Sequence, residues 1–360
     1  MRTLVYARLL TFLMLLTFLS CGKQGTKTVS LDSKSAISYY YAAVAELEEG
    51  NFEQALAKLD TAILLKPTVA TFHQVKGWVY TQLQRPDSAI VSYERALRYK
   101  SHFPEAWLNI GKLYLQVGDY ENAAFYLKKA TNEFPDSTRI HLLLGEAYYK
   151  AGRYLLARDH LRTYSRLASD TIDTYWKWLG FTYYKIHEFR EAEKALEKYL
   201  TLHPQDPEAL KMMGVTKFAL EELDQAISYL NKAGKTLTTD PEIYIYRAKY
   251  FERYQKHNVA LEQLHIGLQN IPNHPELLFE IAVLHYEHNE LASARQTLQR
   301  LVESYPDFWR AYRYLGLVAE SENQLQDAYR YYKLYLDNIL EYDKEIVDRV
   351  KELQAKLSNQ

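Results

Sequence analysis

Few residues in this 360-residue chain have the types and spacing that chemistry requires. Cys21 is the only thiol, so no disulfide holds the fold and no paired-cysteine metal motif exists. His285 and His288 stand three apart with Glu287 between them. On a helix that spacing offers two metal ligands, but the sequence places no third beside them, and packed histidines are the expectation. No nucleophile elbow or phosphate loop occurs. Acidic residues are plentiful, yet they fall on solvated faces or near helix starts, as Asp119 and Asp224 do. No catalytic, cofactor-binding or metal-binding residues are expected, and the chain does not read as an enzyme.

The elements that would position a binding site are far more regular than the chemistry. Residues 104–137, PEAWLNIGKLYLQVGDYENAAFYLKKATNEFPDS, read as two amphipathic helices and a tight turn. Trp107, Ile110, Gly111 and Tyr114 share one face of the first helix. Gly118-Asp119 breaks the pattern, Tyr120, Ala123, Leu127 and Ala130 continue it, and Pro135 ends it. Neither helix buries its apolar face alone, so the unit needs neighbours. A period of 34 supplies them, with starts at 36, 70, 104, 138, 173, 207, 241, 275 and 309 and one slip near Ile172. Position 20 is always Ala: Ala55, Ala89, Ala123, Ala157, Ala192, Ala226, Ala260, Ala294 and Ala328. Position 8 is always Gly or Ala, and position 24 is Leu or Tyr, from Leu59 to Tyr332. Small residues in such register mark close helix crossings.

Period, phase and residue type resemble the tetratricopeptide repeat (TPR) pattern W-x2-L-G-x2-Y, A-x3-F, A, P over residues 36–342. The resemblance implies an all-α fold: a right-handed superhelical TPR solenoid of nine helix-turn-helix repeats. Residues 343–360 follow as a capping helix with Ile346, Val350, Leu353 and Leu357 on one face. In this family the first helix of each repeat lines a concave groove. By that resemblance the groove of this chain holds Trp78, Asn109, Lys112, Tyr149, Trp178, Phe181, Tyr184, Phe218, Tyr246 and Lys249. Trp178, Phe181 and Tyr184 would form an aromatic patch midway along the array. Trp78 and Trp178 have no evident packing reason to face a groove, and aromatic anchors suit a partner peptide or helix. The carboxylate clamp of one TPR subtype is not expected, because in the best register Asn109 alone matches, with Arg139 a fair substitute, while Gln74, Trp78 and Leu143 do not fit. Tyr164 and Tyr199 replace the usual position-27 Ala and flank the slip. Either the twist changes there or these rings snorkel outward.

The N-terminus adds an address. Residues 1–20 carry Arg2 and Arg8, then an apolar run from Leu9 to Leu19 of signal-peptide length. Cys21-Gly22 follows at once, and Phe18-Leu19-Ser20-Cys21 resembles the lipobox of bacterial lipoproteins, which implies lipidation at Cys21. Residues 21–35 then read as the lipidated cysteine and a flexible polar tether. The net charge of −1 is interleaved, with no basic stripe, so nucleic acid is not an expected partner. The expectation is a non-catalytic, lipid-anchored scaffold in a bacterial cell envelope, facing the periplasm or set on the outer membrane. It would bind a peptide or helix of an envelope protein, as an accessory subunit of an assembly or secretion system, with no cofactor. The alternative is a carbohydrate- or peptidoglycan-binding solenoid that uses groove Trp and Tyr rings.

Overall fold

The computed structural model describes residues 31–169 and 172–358. The signal segment 1–20 and Cys21 lie outside the described residues. Every regular element among the described residues is an α-helix. The helices alternate as the first and second helices of nine repeats and end in a last single helix. The first four pairs are α1 (Leu31–Glu48) with α2 (Phe52–Leu65), α3 (Ala70–Gln82) with α4 (Pro86–Tyr99), α5 (Pro104–Val117) with α6 (Tyr120–Glu133), and α7 (Thr138–Lys150) with α8 (Tyr154–Leu167). Next in order come α9 (Asp173–Lys185) and α10 (Phe189–Leu202), then the pairs α11 (Pro207–Ala219) with α12 (Leu223–Ala233) and α13 (Pro241–Arg253) with α14 (His257–Asn270). Finally α15 (Pro275–Glu287) pairs with α16 (Leu291–Ser304), α17 (Trp309–Ser321) with α18 (Leu325–Leu336), and α19 (Lys344–Ser358) closes the series. Helix α1 begins at Leu31, so residues 31–35 are helical where a tether was expected. Nothing in LDSKSA is a Pro or Gly that would stop the helix from extending back.

The chain divides into two compact units between Thr182 and Tyr183, within α9. In the first unit consecutive helices from α1 through α8 pack on one another, and α5 also touches α7. In the second, α10 to α19 do the same, with α13 touching α15 and α15 touching α17. First helices thus touch directly from α5 to α7 in the first unit and from α13 through α15 to α17 in the second.

Within a repeat, the position-8 residue of the first helix receives the position-24 side chain of the second. A Cβ on Gly111 would stand 2.6 Å from Leu127 Cγ, and one on Gly316 would enter the Tyr332 ring. Where position 24 is the bulky Tyr93 or Tyr332, position 8 is Gly77 or Gly316; the three Ala at position 8 face Leu. The turn between paired helices is equally strict. Position 15 has positive φ in all nine repeats: Gly50, Gln84, Gly118, Gly152, His187, Glu221, Gln255, Asn289 and Asn323. Only three are glycine, the residue that adopts this conformation without penalty.

Successive repeats are joined by buried polar contacts that spacing did not reveal. His73 Nε2 donates to the Pro67 carbonyl at 2.7 Å, His141 Nε2 to Pro135 at 2.8 Å, and Tyr244 Oη to Thr238 at 2.8 Å. Each side chain sits at position 4 and reaches back six residues into the preceding loop. Tyr164 and Tyr199 do not snorkel; both are buried. Tyr164 stacks on Tyr175 at 4.8 Å and accepts from the Ile172 N–H at 3.1 Å. Tyr199 donates to Asp206 at 2.7 Å, and Asp206 itself caps α11 by accepting from the Ala209 N–H. The extra ring volume fills the inter-repeat loops. At the far end, Ile346, Val350 and Leu353 of α19 bury against Leu317, Ala328 and Tyr332.

Candidate docking face

In the first unit the face is built by α5, α7 and the start of α9. Asn109 is tied down, its Nδ2 donating to Tyr93 Oη at 3.3 Å. Lys112 is different. Burial lowers its pKa from the ordinary 10.5, the nearby Arg139 lowers it further, and it falls to about 8. Among the described residues neither Lys112 nor Arg139 has a carboxylate or side-chain hydrogen-bond partner. This is a half-buried cation held beside a second cation, an arrangement that disfavours the charged form and leaves an attractive field for an anion. Glu146 lies on the same face. Burial raises its pKa, and Lys150 and Lys177 pull it back down, so its charge serves those two lysines.

The aromatic patch is placed differently from the expectation. Trp178 is 9% exposed and Phe181 5% exposed. Their rings meet at 5.9 Å edge to face, Tyr149 sits 5.4 Å from Trp178 and 5.9 Å from Phe181, and Lys150 and Lys177 cover the two rings at 5.4 and 5.7 Å. Trp178 therefore has a packing reason for its position: neighbouring first helices leave room between them that small side chains would not fill. Its Nε1 has no hydrogen-bond partner among the described residues. Trp78 is half-buried between two repeats, with its ring 6.2 Å from Phe52. Trp178 is mortar first, with little of its ring free to anchor a partner, whereas Trp78 keeps part of its surface exposed.

In the second unit Tyr184 Oη lies 3.3 Å from Tyr246 Oη, and burial with this hydrogen bond pushes the Tyr246 pKa up. Phe218 meets Tyr246 edge to face at 5.3 Å, and Lys249 approaches the same ring at 5.8 Å while pairing with Glu280 at 3.5 Å. Lys217, 5% exposed, takes a place where the repeat pattern wants an aromatic. It bridges Glu193 and Glu222, the latter at 2.7 Å, and Arg190 completes the network at 3.1 and 2.6 Å. Burial opposes the Lys217 charge, but these hydrogen bonds outweigh it and raise its pKa. The replacement of an aromatic by Lys217 was the one signal in the sequence, but its partners are 24 and 5 residues away on other elements and spacing did not reveal them.

The two histidines singled out by spacing go separate ways. His285 bonds Glu290, whereas His288 joins Glu252 and His257 of the preceding repeat. A third ligand-type side chain does stand beside His288, supplied by stacking rather than by its own helix.

Comparison with known proteins agrees with this architecture. Tetratricopeptide repeat models match residues 114–177, 187–250, 248–306 and 279–339, and a TPR repeat model matches 77–118. A TPR repeat-containing protein of Methanocaldococcus jannaschii is 23% identical over 92% of this chain and 60% of its own length. A tetratricopeptide repeat protein 21 homolog of Caenorhabditis elegans is 23% identical over 74% of this chain and 22% of its own. The chain thus spans less than two thirds of the length of these relatives. Among solved structures, the APC/C hetero-tetramer Cut9–Hcn1 aligns with TM-score 0.50 at 16% identity, covering 72% of this chain and 52% of that one. This last likeness is one of fold.

Proposed function

The chain belongs to the tetratricopeptide repeat family of protein-interaction scaffolds, and on that footing we propose that it docks an acidic segment of a partner protein on the first-helix face of its first unit. One observation carries the reading: Lys112 is half-buried, the nearby exposed Arg139 further disfavours its charge, and neither has an ion-pair partner among the described residues. A partner carboxylate there gains a charge-assisted hydrogen bond and relieves the repulsion between the two cations. The buried rings of Trp178 and Phe181 set the floor under Lys150 and Lys177. No chemistry is assigned to the face, and Trp178, being buried, offers little ring surface for stacking on a sugar.

The scaffold is proposed to act at a bacterial envelope membrane, tethered by a lipid on Cys21 and serving an assembly or secretion system. The support is the sequence around Cys21. No helix among the described residues is long and apolar enough to cross a membrane. Peptide-display selection against the purified chain tests the docking: enrichment of Asp- and Glu-rich or C-terminal carboxylate ligands, lost with Lys112→Met and Arg139→Met, is the expected result. Ligands indifferent to both substitutions would move the site elsewhere. Membrane fractionation of the Cys21→Ser variant tests the tether separately, and unchanged membrane association would sink it.

A further inference from the structure

Three ligand-type side chains from two adjacent repeats converge in the second unit. Glu252 sits in the last turn of α13, His257 opens α14, and His288 follows α15 as its C-terminal cap. His257 Nδ1 lies 2.8 and 2.9 Å from the two Glu252 carboxylate oxygens, and His288 Nε2 lies 3.1 Å from one of them. The imidazole centroids are 3.4 Å apart at 52°. One ligand atom from each residue lies within 4.8 Å of those of the other two, and all three residues are half-buried with an open side.

We propose that Glu252, His257 and His288 form a divalent metal site, best suited to Zn2+, that staples repeat seven to repeat eight. Two imidazoles, one carboxylate and an open fourth position for water are a donor set that this ion takes readily. Bonds of about 2.0–2.2 Å at tetrahedral angles place donors about 3.3–3.5 Å apart. The three groups reach that spacing by small side-chain rotations. Each neutral imidazole can carry its single proton on the ring nitrogen that faces away, which frees His257 Nδ1 and His288 Nε2 as lone-pair donors. Arg253, next in sequence to Glu252, is drawn off by Glu221 at 2.9 Å.

The repeat register supplies an independent argument. His257 occupies position 17, which in the other eight repeats is aromatic, aliphatic or proline. His288 occupies position 14, where no other repeat has a histidine. Ligand-type side chains thus meet at this one junction, while the neighbouring His285 turns instead to Glu290.

The test uses the full-length chain without a histidine tag. Zn2+ is titrated by calorimetry and by competition with a chromophoric chelator, and Co2+ serves as a spectroscopic substitute. The expected result is one saturable equivalent, a Zn2+-dependent rise in thermal midpoint reversed by chelator, and tetrahedral Co2+ absorption. His257→Gln, His288→Gln and Glu252→Gln should each weaken binding by at least about tenfold, the loss that even supporting residues of metal sites produce, while His285→Gln leaves it unchanged. Absence of saturable binding, or undiminished binding by the His257→Gln/His288→Gln pair, overturns the site. Where a variant fails to fold, X-ray absorption of the wild-type Zn2+ complex decides: a shell without two imidazoles refutes the proposal.

Discussion

At the scale of single residues, Lys112 separates stability from function. The unfolded chain keeps the Lys112 proton up to about its ordinary 10.5, whereas the folded chain gives it up near 8. Charging Lys112 therefore opposes folding below pH 8, and the opposition fades between pH 8 and 10.5. Lys112→Met is expected to raise stability at pH 7 by about 1–3 kcal/mol, read from urea unfolding, while it abolishes binding of an acidic ligand. The same shift gives binding a pH limit: affinity should fall as pH rises through about 8, and a flat profile from pH 7 to 9 would deny Lys112 its role. His160 works in the acid range. Burial, then the charge of His141, lowers its pKa to about 4, and its Nδ1 lies 3.0 Å from His141 Nδ1. Between pH 6.5 and 4 the unfolded chain binds this proton and the folded one does not, so stability falls as pH drops through that window. His160→Phe, which keeps the stacking on Tyr148, should remove about 1–2 kcal/mol of the stability difference between pH 7 and pH 5.

At the scale of the helix pair, the turn holds unused stability. Gln84 and Gln255 adopt φ of 55° where Gly50, Gly118 and Gly152 adopt 74–86°. A left-handed non-glycine residue costs roughly 1–2 kcal/mol, partly offset by the greater unfolded-state freedom of glycine. Gln84→Gly and Gln255→Gly should each raise the urea midpoint by an amount equivalent to about 0.5–1 kcal/mol. The reverse experiment is Gly111→Ala, whose Cβ would meet Leu127. It should cost about 1–3 kcal/mol, although Ala at the same position in repeats one, seven and eight is accommodated. These features are where sequence reading succeeds. A helix pair is a local object, its apolar face recurs every three or four residues, and small residues in register report a crossing directly. The turn was visible only where it carried glycine; the need for positive φ at His187 or Glu221 comes from closure of the pair, which residue type does not encode.

At the scale of the whole molecule, what escaped the sequence is what adjacent repeats build together. The burial of Trp178 depends on Tyr149 of the preceding repeat, and the meeting of His288 with Glu252 depends on stacking across 36 residues. Groove positions carried over from a family pattern are assigned one repeat at a time, but the exposure of each side chain is decided by which neighbours are large. Lys217 shows the consequence most directly. It spans repeats five and six, with Glu193 on α10 and Glu222 at the turn before α12 as partners. Lys217→Met keeps the stem and removes the charge, leaving Glu193 and Glu222 to Arg190 alone. Breaking a buried ion network typically costs about 3–5 kcal/mol; with Glu222 a quarter exposed, about 2–3 kcal/mol is expected. In a repeat array each unit contacts its neighbours, so stability is a sum of local and nearest-neighbour contributions. The loss should therefore stay local. Hydrogen exchange should speed up in α10, α11 and α12 and leave the amides of α3 to α6 as protected as before. Uniform loss of protection along the chain would show that the repeats unfold as one cooperative body, and that the junction at Lys217 is coupled to the entire array.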